Sequence, residues 1–363
     1  MAYRPRLFEP IEIRGVRARN RVWVSPMCQW AAGADGLVRP WHHVNYLSYA
    51  AGGAGLVMFE STAVAAIGRL ATGDLGLWND AQVEALKPLT KAISDLGAIP
   101  AVQLNHAGRK ASTTPGWYEF DPRFASDQPE TWATVGPSAI ENDGLPVPRE
   151  LSEAEIGGIV EEFAAAARRA VQAGFRVIEL HAAHGFLIHQ FLSPLANQRH
   201  DRYGGTLEHR ATFFLDVVRA VRDAIGGEVP LFARLSATDW IPGGLDLAET
   251  QRVAKWAKAA GVDHFDVSSG GIGRATRVPV GPGYMVPFAQ AVRQASGATA
   301  NAVGMITARD QAEQILVADQ ADAVMMGRAF MRNPHLAAEW AGQWGLDLRG
   351  TVAAPWQAAR WGK

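Results

Sequence analysis

The segment FRVIELHAAHG (175–185) is largely apolar from Phe175 through Leu180 and then turns polar, with His181 and His184 three residues apart at its tip. It reads as a buried strand whose C-terminal end carries chemistry. Seven other apolar or β-branched runs share this form: RVWVS (21–25), GLVMFE (55–60), AIPAVQL (98–104), PLFARL (230–235), HFDVSSG (264–270), TANAVG (299–304) and ADAVMMG (321–327). Eight is the number that a (β/α)8 TIM barrel needs. Their near-continuous apolar character, rather than an alternating one, is what parallel strands show when helices cover them outside and side chains fill the barrel inside.

The stretches between the runs carry helix signals. Ser152-Glu153-Ala154-Glu155 is a capping box, and Asp246 with Glu249 repeats it. Gly97, Gly174 and Gly261 stand where helices end just before the next strand. IEIRGVRARNRV, near the start, predicts a small hairpin plugging the bottom of the barrel. Residues 106–150 are rich in Pro, Gly, Ser, Trp and Asp without a sustained period, so a long substrate-side excursion follows the third strand. No composition shift marks a second domain, and residues 1–363 are expected to form one barrel domain with a tail over 345–363.

Composition narrows the function. With 48% hydrophobic residues the chain has material for a large core, and a net charge of −1 with dispersed Lys and Arg argues against nucleic-acid or anionic-membrane binding. The N-terminus MAYRPRLFEP lacks an apolar signal core and no run is long enough to span a bilayer, so a cytoplasmic enzyme with a small-molecule partner is expected. The single cysteine, Cys28, excludes an internal disulfide and a Cys-rich zinc site. Read alone, such a cysteine is as readily a small buried apolar residue as a functional one.

Active sites of barrels lie at the C-terminal ends of the strands, and here those ends are polar. They include Ser25-Pro26-Met27-Cys28-Gln29-Trp30, Glu60-Ser61-Thr62, Gln103 to His106, His181 to His184, Arg234 and Ser268 to Gly271. Gly304 and Gly327-Arg328 each sit between a strand and a helix, where backbone N–H groups and a guanidinium favour a phosphate; plain turn glycines are the alternative. No G-x-G-x-x-G lies between a strand and a helix, so a Rossmann dinucleotide domain is absent. His181 and His184, with His189 nearby, admit three readings: metal ligands, buried histidines satisfied by the backbone, or paired N–H donors for a substrate oxygen. Their spacing is not the i, i+4 pair of H-E-x-x-H.

Together these residues resemble the old yellow enzyme family, in particular its bacterial thermophilic-like branch of flavin-dependent ene-reductases. The resemblance covers essentially the whole chain through SPMCQW (25–30), GGAGLVMFESTAV (52–64), QLNHAGRKAS (103–112), HAAHGFLIHQFLSPLANQRHDRYGGTLEHR (181–210), GPGYMVPFA (281–289), AVGMIT (302–307) and MGRAFMRNP (326–334). It implies noncovalent FMN, reduced by NADPH or NADH and reoxidised by an activated alkene such as an enone, enal, maleimide or nitroalkene. It assigns Ser25, Pro26, Met27, Ser61, Gln103, His181 and Arg234 to the flavin ring system, and Gly304, Gly327 and Arg328 to the phosphate. It makes Cys28 a modulator of the flavin, and His181 with His184 the donors to the substrate's activating group.

Two positions depart from the pattern. The family's usual proton-donating tyrosine after H-x-x-H-G is Phe186, and the tyrosine of its M-C-Q-Y segment is Trp30, so two phenolic O–H groups are replaced. Water or another tyrosine (Tyr118, Tyr203 or Tyr284) can supply the proton, or the substrate needs none at carbon, as in nitro reduction, or the enzyme oxidises a cyclic ketone. A flavin-binding protein that has lost turnover is the remaining reading. Arg360 and Trp361 resemble the branch's tail residues that reach a neighbouring active site, which implies a homodimer or homotetramer.

Overall fold

The computed structural model describes residues 5–113, 131–273 and 277–347. Its centre is a closed barrel of eight parallel strands: β3 (Val22–Val24), β4 (Leu56–Ala63), β5 (Ile99–Asn105), β8 (Val177–Ala182), β9 (Leu231–Ser236), β10 (His264–Ser268), β11 (Thr299–Ala302) and β12 (Ala323–Met326). Each predicted run supplies one strand. Run and strand boundaries differ most at β4, which continues past Glu60 through Ser61 and Thr62 to Ala63 after a register shift between Phe59 and Ser61. Conversely β10 stops at Ser268, because Gly270 and Gly271 adopt φ of 69° and 93°, outside the extended region.

Helices α1 (Pro40–Ala51), α2 (Asp80–Asp95), α3 (Glu153–Gln172), α4 (Leu187–Leu192), α5 (Leu207–Ile225), α6 (Leu247–Ala260), α7 (Val286–Ser296), α8 (Arg309–Val317), α9 (Arg328–Arg332) and α10 (Leu336–Gln343) follow or flank the strands. α3 shows why they form. Ser152 Oγ accepts the Glu155 N–H and Glu155 Oε2 accepts the Ser152 N–H, closing the predicted capping box. Ile156, Ile159, Val160 and Phe163 then bury one stripe against the barrel, and Gly174 ends the turn with φ of 92°. Asp246 Oδ1 accepts the Glu249 N–H and so caps α6. Among the described residues no helix is long and apolar enough to cross a membrane.

The hairpin β1 (Ile11–Ile13) and β2 (Val16–Ala18) closes the bottom of the barrel. Arg14 and Gly15, both with positive φ, make its two-residue turn. Ile11, Ile13 and Val16 pack on Trp23, Leu56, Ile99, Val177 and Phe232 at the N-terminal strand ends. The described part of the 106–150 excursion contains a short turn, Gly108–Lys110, and a two-residue pair, β6 (Val135–Gly136) with β7 (Arg149–Glu150). Arg109 fastens it, donating to Ile140 O, Glu141 O and Ile272 O.

Candidate active site

At the C-terminal ends of β3, β9, β11 and β12 lies a cleft of about 390 Å³. Ser25, Pro26, Met27, Arg234, Gly304 and Gly327 all line it, so six residues from four separate strand ends converge on one space. Gly304 has φ of 106°, and a Cβ there would come within 3.0 Å of Met285 Cε. Arg328 and Arg332 stand at the rim with Arg234 deeper in, and among the described residues no carboxylate lines the cleft. Neither Arg328 nor Arg332 has an ion pair among the described residues, which leaves two exposed guanidinium groups beside backbone turns. Such a donor set suits a phosphate monoester.

The histidine pair forms the neighbouring wall. β8 delivers His181 beside Arg234 of β9 in the parallel register. His184 follows in a left-handed conformation, φ 58°, whose N–H donates to Ser236 Oγ at 3.0 Å. His181 Nε2 and His184 Nδ1 are 3.4 Å apart. The Ala183 N–H donates to His181 Nδ1, which puts that ring's hydrogen on Nε2. Ser268 Oγ lies 2.7 Å from His184 Nε2; when the hydroxyl donates there, the His184 hydrogen sits on Nδ1. In those tautomers neither ring accepts from the other, and both hydrogens are left to donate to a third atom. Burial, reinforced by Arg234 and Lys110, pushes both histidines well below their ordinary range, so both rings are neutral at neutral pH. His189 is committed elsewhere: it accepts the Gly185 N–H and faces Asp239 at 2.9 Å.

Comparison with known proteins places this arrangement. The model of the NADH:flavin oxidoreductase / NADH oxidase family matches residues 6–344. The NADPH dehydrogenase of Listeria welshimeri is 43% identical over 357 residues, covering 98% of each chain. This chain belongs to that flavin oxidoreductase family. Among solved structures, morphinone reductase superposes with a TM-score of 0.78 at 29% identity over 94% of this chain and 90% of its own. The old yellow enzyme homologue from Zymomonas mobilis gives 0.76 at 27% identity over 96% and 99%. The protein is therefore an NAD(P)H-dependent oxidoreductase of the old yellow enzyme family, and FMN is its cofactor.

The residues present fit a flavin mononucleotide on two structural grounds. The cleft is cationic and glycine-lined at one end, as a phosphate requires, and Ser61 Oγ is a buried polar atom without a partner among the described residues. Beneath these lies a buried polar floor. Gln103 Nε2 donates to Glu179 Oε1 at 2.8 Å, Arg234 Nε faces Asp266 Oδ2 at 2.9 Å, and Asn301 donates to Asp266 Oδ1 at 2.7 Å. Glu179 Oε2 has no partner among the described residues. Burial, with Asp266 adding and Arg234 opposing, pushes the Glu179 carboxyl up to about 8, so it is mostly protonated at neutral pH.

Cys28, Trp30, Ser61, Gln103 and Phe186 are not among the residues that line this cleft. Burial, with Asp74 and Glu60 adding, pushes the Cys28 thiol well above its usual range, which keeps it a thiol rather than a nucleophilic thiolate. Trp30 has φ of 50°, and its buried Nε1–H has no partner among the described residues, so position 30 keeps a donor although its phenol is gone. Phe186 lies edge-on to His181, ring centroids 4.6 Å apart. Of the substitute tyrosines, Tyr284 lines the phosphate-side cleft and Tyr203 packs on Phe191 in the core. Tyr118, Arg360 and Trp361 lie outside the described residues. Sequence reasoning missed roles for Lys110, Glu179, Ser268 and Arg332. Lys110 sits inside the QLNHAGRKAS motif, and Arg332 inside MGRAFMRNP, but nothing local to either says what it faces.

Proposed function

We propose that the enzyme reduces the carbon–carbon double bond of an activated alkene, an enone, enal, maleimide or nitroalkene, at the expense of NAD(P)H. Bound FMN supplies the hydride relay between the two half-reactions. Arg328 and Arg332, with the backbone at Gly304 and Gly327, hold its phosphate. Ser25, Pro26, Met27, Ser61, Gln103 and Arg234 surround the ring system, and the Arg234 guanidinium favours negative charge there. Cys28 stands beside it as a neutral thiol.

The observation that carries this reading is the 3.4 Å approach of His181 Nε2 to His184 Nδ1. Two neutral N–H donors that close suit a single oxygen. A carbonyl or nitro oxygen gains charge as hydride reaches the β-carbon, and donors already in place stabilise that charge without reorganising. Loss of one such donor costs roughly 10²–10³ in kcat. Phe186, edge-on to His181, presents an apolar face beside the pair.

Anaerobic mixing tests the proposal. NADPH or NADH should bleach the flavin of the holoenzyme, and a cyclic enone or maleimide should restore its colour with release of the saturated product. A flavin that bleaches and stays reduced in the alkene's presence overturns ene reduction and points to nitro-compound reduction or ketone desaturation. His181→Ala, flavin-loaded, should bleach normally and reoxidise slowly.

A further inference from the structure

A cation covers the ring that replaces the family's phenol. Lys110 closes the turn after β5, and its Nζ lies 5.4 Å from the Phe186 ring centroid. It donates to His184 O at 2.9 Å and to Gly271 O at 3.2 Å. An ammonium has three hydrogens, and the third has no partner among the described residues. Since Phe186 also meets His181 edge-on, the ammonium, the aromatic ring and both histidines make one wall. The titratable groups around Nζ are Arg109 on its own turn, Asp143 from the excursion, Cys28 after β3, and His181 and His184 after β8.

The geometry points to Lys110 as the acid that gives the α-carbon its proton, in place of a phenol at position 186. This assignment rests on the ene-reduction reading above. In the step, the substrate accepts hydride at its β-carbon and its π pair moves onto the oxygen held by His181 and His184. The enolate pair then forms the α-carbon C–H bond with the proton of Nζ, and the neutral amine left behind takes a proton from water. Burial, with Arg109 adding, lowers the Lys110 pKa from the ordinary lysine value against Asp143 and Cys28, which makes the ammonium a better acid than a free lysine. The competing role is a tie between two loops, since the same Nζ bridges carbonyls after β8 and β10.

Enone turnover of four flavin-loaded holoenzymes separates the two: wild type, Lys110→Met, Lys110→Arg, and Lys110→Met with Phe186→Tyr. Lys110→Met should lose on the order of 10²-fold. Lys110→Arg keeps the charge and both carbonyl bonds but does not release a proton, and should stay low. The tyrosine in the double variant should restore turnover, although it replaces neither carbonyl bond. In the wild type, turnover should fall as pH rises through the Lys110 pKa, and Lys110→Met should lose that limb. Wild-type rates in Lys110→Met, recovery in Lys110→Arg, or no rescue by Phe186→Tyr would each overturn the assignment. Bleaching by NADPH is measured alongside as a control for the reductive half. A wild type whose reduced flavin ignores the enone overturns the ene-reduction reading instead, and the Lys110 role with it.

Discussion

His184 sits in the left-handed region at φ 58°, a conformation that costs a non-glycine residue about 1–3 kcal/mol. Its neighbours offset that strain. The His184 N–H is held by Ser236, its carbonyl by Lys110 and its Nε2 by Ser268. Gly271 lies so close that a Cβ there would come within 2.5 Å of His184 Cα, so only glycine permits the packing of these two loops. The tautomer of His184 depends on one hydroxyl, because the other acceptor open to Ser268 Oγ is the weakly accepting Met285 Sδ at 3.7 Å. Ser268→Ala should therefore leave the fold and flavin content intact yet weaken enone binding to the oxidised holoenzyme by roughly 3- to 10-fold, the worth of one net hydrogen bond of about 0.5–1.5 kcal/mol. Titration of the flavin absorbance with enone checks it. Unchanged affinity would mean the serine does not set the tautomer.

Among the elements, the hairpin β1–β2 shows how a short local motif is locked to the barrel. Arg14 at its tip makes two hydrogen bonds to Asp263, at 2.7 and 2.9 Å, and Arg222 from α5 adds a third at 2.7 Å. Burial opposes ionisation of Asp263, but Arg14, the Leu231 N–H and Arg222 outweigh it and hold the carboxyl below its ordinary range. A depressed carboxylate stabilises the fold above its unfolded-state pKa and loses that contribution as pH falls through its folded-state value. The stability advantage of the wild type over Asp263→Asn should accordingly shrink as pH falls from the ordinary aspartate range, about 4, through the lower folded-state value, as read from urea midpoints. Arg14→Ala should cost only about 1 kcal/mol at neutral pH, because its side chain is a third exposed and Arg222 remains.

At the scale of the whole molecule, closing the barrel gathers strand ends that are hundreds of residues apart into one cationic cleft. Arg328 and Arg332 belong to the end of the chain that joins β12 back to β3, where Ser25 N–H donates to Met326 O. If they hold a phosphate, replacing either with alanine should weaken FMN binding to the apoprotein about tenfold and leave riboflavin binding unchanged, since riboflavin lacks the phosphate. Raising the salt should narrow the difference between wild type and variant. Fluorescence titrations with both flavins decide it, and equal losses for FMN and riboflavin would remove the phosphate role.

The barrel itself was legible in the amino-acid order, because strand burial on both faces writes itself as continuous apolar runs and helix ends write themselves as local caps. FRVIELH, the Ser152–Glu155 box and the Arg14-Gly15 turn each contain within a few residues the physics that forms them. The histidine pair was legible for the same reason, being three residues apart on one strand tip. What the linear order did not contain is what those groups face. Lys110 meets carbonyls 74 and 161 residues away, and Glu179 meets Gln103 76 residues away. Such contacts follow from barrel closure and register, not from neighbours in the chain. Their protonation follows from burial, which only the folded interior supplies. The sequence by itself thus determined the barrel, its bottom plug and the polar strand tips; the tertiary structure alone decided which tip group covers Phe186, which serine orients His184 and which buried carboxyl stays neutral.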